Sequence, residues 1–296
     1  MRIGIDLGGT KISAIALDDG GETLVYQRVA TPSGDYDATI RTIVDLVDYL
    51  ESCTGKSGNV GIGTPGAISP RTGLLRNSNS VCLNGRPLDK DITLALGREV
   101  RIANDADCFA LSEATDGAGA DVKTVFGVII GTGVGGGLVV NGELLTGPNA
   151  IAGEWGHNPL PWVNKYEFPG RKCYCGKRGC IETYLSGPGF ETEYKHRSGR
   201  MEKSPDIVRL ASEDNETARA CLEGYIDRMT RALANVINIL DPEVIVLGGG
   251  MSNINEIYPA VQQRLSRYVF ADSVDTRLVR HHHGDDSGVR GAAWLW

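Results

Sequence analysis

A pattern that occurs twice in this sequence constrains the fold more than any other feature. Residues 2–17 form two apolar runs separated by Gly8-Gly9-Thr10-Lys11, and residues 125–140 form two more, separated by Gly131-Thr132-Gly133. Each copy predicts two strands joined by a tight turn, because paired glycines accept positive φ at no steric cost. A further turn and a third short apolar run follow each copy. The sequence therefore predicts two βββ units of like design, and hence two similar lobes.

The glycine turns permit two interpretations. A turn without Cβ atoms lets backbone N–H groups approach an anion closely, and Thr10 and Lys11 add a hydroxyl and a cation to the first turn. Asp6 precedes that turn, where a carboxylate can hold a hydrated Mg²⁺. A plain β-hairpin explains either turn alone. The repeat favours phosphate binding, because two such turns on facing lobes would hold one polyphosphate from both sides.

Chain length, net charge, hydropathy and cysteine count exclude some classes of protein. The chain has 296 residues and a formal net charge of −7, which disfavours a nucleic-acid-binding surface. No apolar run reaches the length of a membrane span, and Met1 leads directly into the first strand, so we expect no signal peptide and a cytoplasmic protein. The seven cysteines are then more typical of thiols or metal ligands than of disulfides.

Composition and apolar spacing also predict the domain boundaries. Apolar spacing predicts amphipathic helices at residues 35–51 and 216–240. A Gly- and Ala-rich stretch after residue 116 predicts a linker. We expect an N-terminal small lobe at residues 1–118, completed by a C-terminal helix at 285–296, and a C-terminal large lobe at 119–284. The large lobe contains an irregular loop at 153–187, too long to lack an organiser of its own.

Four residues in or beside this loop have the spacing of metal ligands. Cys173, Cys175 and Cys180 form C-x-C-x₄-C, and His157 lies sixteen residues upstream. Three thiolates and one imidazole match a closed tetrahedral zinc site, which leaves no position for a catalytic water. The alternative is three thiols in a glycine-rich loop. A structural zinc would organise the loop and fix its neighbours Glu154 and Glu182.

Two strand ends predict chemistry. Asp105 follows a short strand and precedes a helix, at the edge where ligands bind in open α/β sheets. It suits a base that accepts the proton of an attacking hydroxyl, and it suits a helix N-cap equally well. A later strand ends in Gly248-Gly249-Gly250, which indicates either close approach of a nucleotide or a tight connection.

The chain resembles the ROK family of bacterial sugar kinases over nearly its whole length. The most specific match is Gly153-Glu154-Trp155-Gly156-His157 together with Cys173-Tyr174-Cys175-Gly176-Lys177-Arg178-Gly179-Cys180-Ile181-Glu182. The other matching motifs are residues 6–11, 63–66, 104–108, 131–137 and 247–250. One departure is Asp107, which stands where many members carry Asn.

The resemblance implies a two-lobed, actin-like (ribonuclease H-like) α/β ATPase fold with a zinc-stabilised loop. It implies that Asp105 is the catalytic base and that Mg²⁺ accompanies ATP. ATP would be bound at Gly4, Ile5, Asp6, Leu7, Gly8, Gly9, Thr10, Lys11, Gly131, Thr132, Gly133, Val134, Gly135, Gly136, Gly137, Gly248, Gly249 and Gly250. The sugar would be bound at Gly66, Asn79, Asn104, Asp105, Glu154, His157 and Glu182, and structural Zn²⁺ at His157, Cys173, Cys175 and Cys180. His157 would serve zinc through one ring nitrogen and the sugar through the other.

Within the family the chain looks most like the fructokinases, also called mannokinases. Residues 156–162 and 77–80 carry that likeness. The expected activity is ATP-dependent phosphorylation of D-fructose, and also of mannose, to the 6-phosphate. The alternative is an N-acetylglucosamine kinase or glucokinase of the same family, since much of the framework is common to both. A few contacts decide between a hydroxyl and an N-acetyl group.

The sequence disfavours three alternatives to a kinase. The family includes sugar-sensing repressors, but here the first glycine turn begins within ten residues of Met1, so we expect no DNA-binding domain. A catalytically inactive sugar sensor is disfavoured because Asp105 is present. A zinc-stapled nucleic-acid binder conflicts with the net charge. We expect ATP and a hexose as the small-molecule ligands, neither nucleic acid nor membrane as a partner, and a homodimer.

Overall fold

The computed structural model describes all 296 residues and has twelve strands. The strands are β1 (Arg2–Leu7), β2 (Lys11–Leu17), β3 (Thr23–Ala30), β4 (Asn59–Thr64), β5 (Ala67–Ile68), β6 (Leu75–Arg76), β7 (Val100–Asn104), β8 (Thr124–Ile130), β9 (Val134–Val140), β10 (Glu143–Leu144), β11 (Val244–Gly248) and β12 (Arg277–Arg280).

Nine α-helices accompany the strands, and none is both long and apolar enough to cross a membrane. They are α1 (Tyr36–Thr54), α2 (Leu88–Leu96), α3 (Asp105–Thr115), α4 (Glu182–Leu185), α5 (Gly187–Ser198), α6 (Ser204–Ser212), α7 (Glu216–Leu240), α8 (Ile257–Arg264) and α9 (Ser287–Ala293). The predicted helix at 216–240 has the bounds of α7, and the one at 35–51 is α1, three residues longer at its C-terminal end.

The two five-stranded sheets share one strand order. The first is β3-β2-β1-β4-β7 and the second is β10-β9-β8-β11-β12. In both, an antiparallel βββ meander supplies three strands, and two further strands add in parallel beside the first strand of the meander. The prediction of two βββ units of like design is therefore confirmed, and the chain is an α/β protein.

The chain divides into two compact units. Unit 1 comprises Met1–Lys123, Gly137–Ala152 and His282–Trp296, and unit 2 comprises Thr124–Gly136 and Gly153–His281. In unit 1, a core of aliphatic side chains from β1, β2, β4 and α1 is fully buried, including Ile3, Ile5, Ile12, Ile43 and Ile62.

The C-terminal helix α9 packs on β1, β2 and β4 of unit 1. Glycines in the strands permit this contact: a Cβ at Gly4 would lie 2.1 Å from Val289 O, and one at Gly61 would lie 1.9 Å from Ala292 O. The helix is shorter than the predicted 285–296, because a 3₁₀ turn at Gly284–Asp286 precedes it and Trp294 ends it. Gly4, which the family resemblance places among the nucleotide-binding residues, thus has a packing reason to be glycine.

Candidate active site

The first glycine turn differs from expectation in one respect. Neither Gly8 nor Gly9 has positive φ, so the predicted reason for these glycines is wrong. Gly8 closes the turn by donating its N–H to Lys11 O at 3.1 Å, and a Cβ there would lie 2.8 Å from that same oxygen. Close approach of the two strands, rather than a left-handed backbone, therefore requires Gly8.

Asn79 lies beside this turn. A Cβ at Gly9 would be 3.9 Å from Asn79 Oδ1 and 3.5 Å from Ser80 Oγ. Both residues help to line one cavity with Thr10 and Thr31. Unit 1 therefore brings a predicted sugar residue next to a predicted nucleotide turn.

The hydrogen bonds at the N-terminus of α3 bear on whether Asp105 is a catalytic base or the helix N-cap. Asn104 is the capping residue, and its Oδ1 accepts the N–H of Ala106 at 2.9 Å. The same amide donates through Nδ2 to Gly66 O at 3.0 Å, which ties the loop after β4 to the start of the helix. Asp105 is the first residue of the helix and accepts from the same Ala106 N–H at 2.9 Å. Since Asn104 already caps the helix, capping does not require Asp105.

The carboxylates of Asp6 and Asp105 repel each other. Burial of Asp6, followed by repulsion from Asp105, raises the pKa of Asp6 to about 6, although Lys11 and Arg28 oppose the rise. Asp6 keeps part of its surface accessible, so solvent moderates this effect. Two carboxylates that repel each other at neutral pH favour a nearby cation, as the Mg²⁺ prediction requires.

The raised pKa predicts that Asp6→Asn stabilises the protein above pH 6 in the absence of divalent cations, because the variant has no charge to bury and none for Asp105 to repel. The folded-state pKa is raised from 3.8, so wild-type stability falls as pH rises from about 4 to about 6. The stability of the variant does not fall over this pH range. We expect thermal unfolding in EDTA to show a gain on the order of 1–2 kcal/mol at pH 7.5 and almost none at pH 4.

The control for this experiment is Asp48→Asn, which removes an exposed carboxylate from α1. It should not reproduce the pH-dependent gain. Mg²⁺ should stabilise the wild type and not Asp6→Asn. Equal stability of wild type and Asp6→Asn at both pH values would show that neither burial nor Asp105 raises the pKa of Asp6.

Unit 2 brings together three predicted segments. Glu182, the first residue of α4, accepts the backbone N–H of Val134 through Oε2 at 3.0 Å. Trp155 donates its indole N–H to Gly135 O at 3.0 Å, and a Cβ at Gly156 would lie 2.1 Å from Val134 O. The second glycine turn, the segment carrying Glu154 and His157, and Glu182 are therefore in direct contact.

The predicted metal ligands also converge in unit 2. The ligand atoms of His157, Cys173, Cys175 and Cys180 all lie within 4.8 Å of one another. Cys175 Sγ is 3.6 Å from Cys180 Sγ, and Cys173 Sγ is 3.6 Å from His157 Nδ1. A tetrahedral zinc would require edges of about 3.8 Å between sulfurs and about 3.6 Å from sulfur to nitrogen. The cluster therefore fits Zn²⁺ in donor type and in spacing.

The thiols have unequal environments. Burial, followed by the neighbouring Cys175 and Cys173, raises the pKa of Cys180 to about 12. A backbone hydrogen bond from Lys177 is the main influence that lowers the pKa of Cys175. A divalent cation would hold all three sulfurs as thiolates despite this difference.

The second nitrogen of His157 has a partner that sequence reasoning missed. His157 Nε2 lies 2.9 Å from the hydroxyl of Tyr174, whose ring meets the imidazole edge-on at 5.1 Å. Burial, followed by the carboxylates of Glu182 and Glu154, raises the pKa of Tyr174 to about 12, although most of the ring is exposed. Its place between two metal ligands was the signal available in the sequence. Contact of His157 with a sugar remains a prediction.

Arg171 is a second residue that sequence reasoning missed, and the sequence gives no signal for it. Its Nη1 donates to Thr183 O at 2.9 Å and to Gly189 O at 2.8 Å, and it pairs with Glu193. It thereby fixes the backbone that follows Glu182.

The triple-glycine junction is only partly as predicted. Gly249 has φ of +78°, and a Cβ there would lie 2.5 Å from Ile130 O, so contact within the protein explains this glycine. A 3₁₀ turn at Gly250–Asn253 follows, and α8 begins only at Ile257. A Cβ at Gly250 would meet no atom within 4 Å, which leaves this glycine available to a ligand.

Comparison with known proteins decides the family. The ROK family model matches residues 2–296. The chain belongs to the ROK family. N-acetyl-D-glucosamine kinase from Escherichia coli O1:K1 / APEC is 42% identical over 299 residues, which cover 100% of this chain and 99% of that protein.

Two solved structures support the fold. A ROK hexokinase from Thermus thermophilus has a TM-score of 0.88 at 30% identity, covering 99% of this chain and 96% of that one. A ROK family glucokinase from Streptomyces griseus, in complex with glucose and AMPPNP, has a TM-score of 0.77 at 25% identity, covering 99% and 98%. The resemblance to ROK sugar kinases is confirmed. The expected likeness to fructokinases is not supported, since the relatives of 42% identity are N-acetyl-D-glucosamine kinases.

Proposed function

We propose that this protein transfers the γ-phosphoryl group of ATP to a hydroxyl of N-acetyl-D-glucosamine, forming the 6-phosphate. Similarity to N-acetyl-D-glucosamine kinase over the full length of both chains carries the choice of sugar. The solved ROK glucokinase with glucose and AMPPNP supports the broader class of ATP-dependent hexose kinases. D-Fructose, the substrate expected from residues 156–162 and 77–80, is the second candidate.

The proposed chemistry assigns one step to each group. Asp105 accepts the proton of the attacking hydroxyl, because an alkoxide-like oxygen attacks a γ-phosphate more readily than an alcohol. Asn104 holds the Gly66 loop and the start of α3 in place, so Asp105 is presented on a fixed backbone. Mg²⁺ beside Asp6 would neutralise charge on the phosphates when bound. Positioning and charge neutralisation account for most of catalysis in phosphoryl transfer.

Sugar recognition is assigned to carboxylates and an imidazole of unit 2. Glu154, His157 and Glu182 lie around the second glycine turn and the Cys/His cluster. Glu182, Tyr174 and Thr132 help to line one cavity of about 1110 Å³, whereas Glu154 and His157 do not line it. Carboxylates accept hydrogen bonds from sugar hydroxyls, and Zn²⁺ on His157, Cys173, Cys175 and Cys180 would keep the loop in shape.

A substrate panel tests the choice of sugar. We expect kcat/KM for N-acetyl-D-glucosamine to exceed that for D-fructose by about 10-fold or more, because a site built for an N-acetyl group leaves polar partners unpaired with other sugars. ADP release should be measured over N-acetyl-D-glucosamine, N-acetyl-D-mannosamine, D-glucose, D-mannose and D-fructose. A sugar-free reaction corrects for ATP hydrolysis. A kcat/KM for D-fructose equal to or above that for N-acetyl-D-glucosamine would replace the proposal by a fructokinase.

A further inference from the structure

The carboxylate of Glu182 accepts a hydrogen bond from a backbone N–H group beside the second glycine turn. Its Oε2 accepts the Val134 N–H at 3.0 Å, and Val134 is the first residue of β9, directly after the turn. A Cβ at Gly133 would lie 2.8 Å from the same carboxylate oxygen. Gly133 has no positive φ, and its nearest neighbour is that carboxylate. A Cβ at this position would therefore push the Glu182 carboxylate away from the turn.

The backbone holds Glu182 in this position. Gly187 N donates to Gly131 O at 2.9 Å, so the first residue of α4 and the first residue of α5 both contact the turn. Thr183 donates through both its backbone N–H and its hydroxyl to Cys180 O, at 2.9 and 2.7 Å. The carboxylate is thus placed on the turn by short contacts on either side.

A carboxylate at this amide opposes a polyphosphate in two ways. It uses the N–H group that the turn would offer to a phosphate oxygen, and it adds a negative charge beside the phosphates. A sugar hydroxyl that draws the Glu182 carboxylate towards itself withdraws both Oε2 and its negative charge from the turn.

We propose that Glu182 links the two substrates: while the sugar is absent its carboxylate occupies the Val134 amide and weakens nucleotide binding, and a bound sugar releases that amide for a phosphate. This inference rests on the proposed function, since it requires that the turn binds nucleotide and that Glu182 binds sugar. Sugar and nucleotide then raise each other's affinity by the same factor.

The test measures the Kd of AMPPNP with Mg²⁺ by calorimetry, without sugar and with saturating sugar, using the hexose that has the highest kcat/KM in the panel. For the wild type we expect sugar to tighten AMPPNP binding by about 10-fold. Glu182→Gln keeps the size of the side chain and removes its charge. In this variant AMPPNP should bind several-fold more tightly than to the wild type without sugar, because the charge beside the phosphates is gone. Sugar should add less than it adds in the wild type, because the glutamine amide oxygen can still accept the Val134 N–H.

Tighter binding after a substitution separates this linkage from structural damage, which would weaken binding. The matched control is Glu154→Gln, a change at another predicted sugar carboxylate: sugar affinity should fall, while AMPPNP affinity without sugar stays at the wild-type value. An unchanged wild-type Kd on adding sugar overturns the inference without any variant. So does a Glu182→Gln affinity at or below that of the wild type.

The same experiment separates the inference from the proposed function. If no hexose in the panel binds or is phosphorylated, the proposed function fails. Tighter AMPPNP binding by Glu182→Gln would still show that the carboxylate blocks the turn. If a hexose is phosphorylated but AMPPNP binding is insensitive to Glu182→Gln, the kinase stands and the linkage is excluded.

Discussion

Replacing Asp105 by asparagine is expected to lower kcat by about 10²-fold or more, because only the acceptor of the hydroxyl proton is lost. Asparagine is nearly isosteric and retains an oxygen that can accept the Ala106 N–H, the bond that Asp105 makes at 2.9 Å. Asn104 continues to cap α3, so the fold should be unaffected. The Kd values for AMPPNP and for sugar should stay within a few-fold of wild type, which assigns the loss to the chemical step.

The same helix offers a matched control. Asp107→Asn removes an equal charge from the first turn of α3, and the family pattern indicates that asparagine suits this position. We expect its kcat to stay within a few-fold of wild type, which separates proton acceptance from a general change of charge beside Asp6. Single-turnover measurements with purified variants decide the point. A kcat of Asp105→Asn close to wild type would remove Asp105 from the mechanism.

The repeated architecture was predictable because its determinants are local. Apolar runs and glycine turns define each βββ unit, and helical periodicity defines α7. Individual glycines, by contrast, are required by contacts with residues that are distant in the sequence. A Cβ at Gly291 would lie 1.6 Å from Cys108 O, on a helix nearly two hundred residues away, and one at Gly4 would meet α9. Such close approaches exist only once the chain is folded, so the sequence does not reveal the packing reason for Gly4.

The support of the irregular loop was predicted only in part. The loop's predicted metal ligands follow a spacing that is visible in the sequence, but a buried network of ion pairs also holds the loop. Glu167 accepts from Arg231 Nη2 and from Arg228 Nε, both at 2.8 Å, and Arg231 Nη1 donates to Pro161 O at 2.8 Å. The arginines lie on α7, more than sixty residues from Glu167. No local pattern pairs charges across such a separation.

The choice of sugar was the least predictable property. The family motifs encode phosphoryl transfer and the Cys/His cluster, and these are shared by kinases for different hexoses. Residues 156–162 were interpreted as typical of fructokinases, whereas the relatives of 42% identity are N-acetyl-D-glucosamine kinases. Within this segment, Trp162 has a φ of +48° and presents its carbonyl to Arg231 at 3.0 Å. Part of the segment therefore contacts the ion network through its backbone.

Replacing Cys175 by serine is expected to remove bound zinc and to lower the melting temperature. Cys175 is exposed, so the change removes no buried surface, and any large effect reports the loss of a metal ligand. Metal binding couples directly to folding, because the ligands are brought together only in the folded chain. We expect a loss on the order of 3 kcal/mol, equivalent to about 6–12 °C in Tm. The Arg231–Glu167 network should limit the damage to the loop and its neighbours.

The measurements are zinc content by mass spectrometry, thermal unfolding, and KM for the sugar. Cys53→Ser is the matched control, since Cys53 is an exposed thiol on α1 outside the Cys/His cluster, and it should retain zinc and Tm. KM for the sugar should rise in Cys175→Ser, because loss of the metal would also displace Glu182. Glu182 follows the predicted ligand Cys180 by two residues, and the hydroxyl of Thr183 donates a hydrogen bond to Cys180 O. A chelator should produce the same changes in the wild type and none in Cys175→Ser. A wild-type protein that is purified without zinc and is fully active, and whose Tm a chelator does not lower, would show that the three thiols and the imidazole are not a metal site.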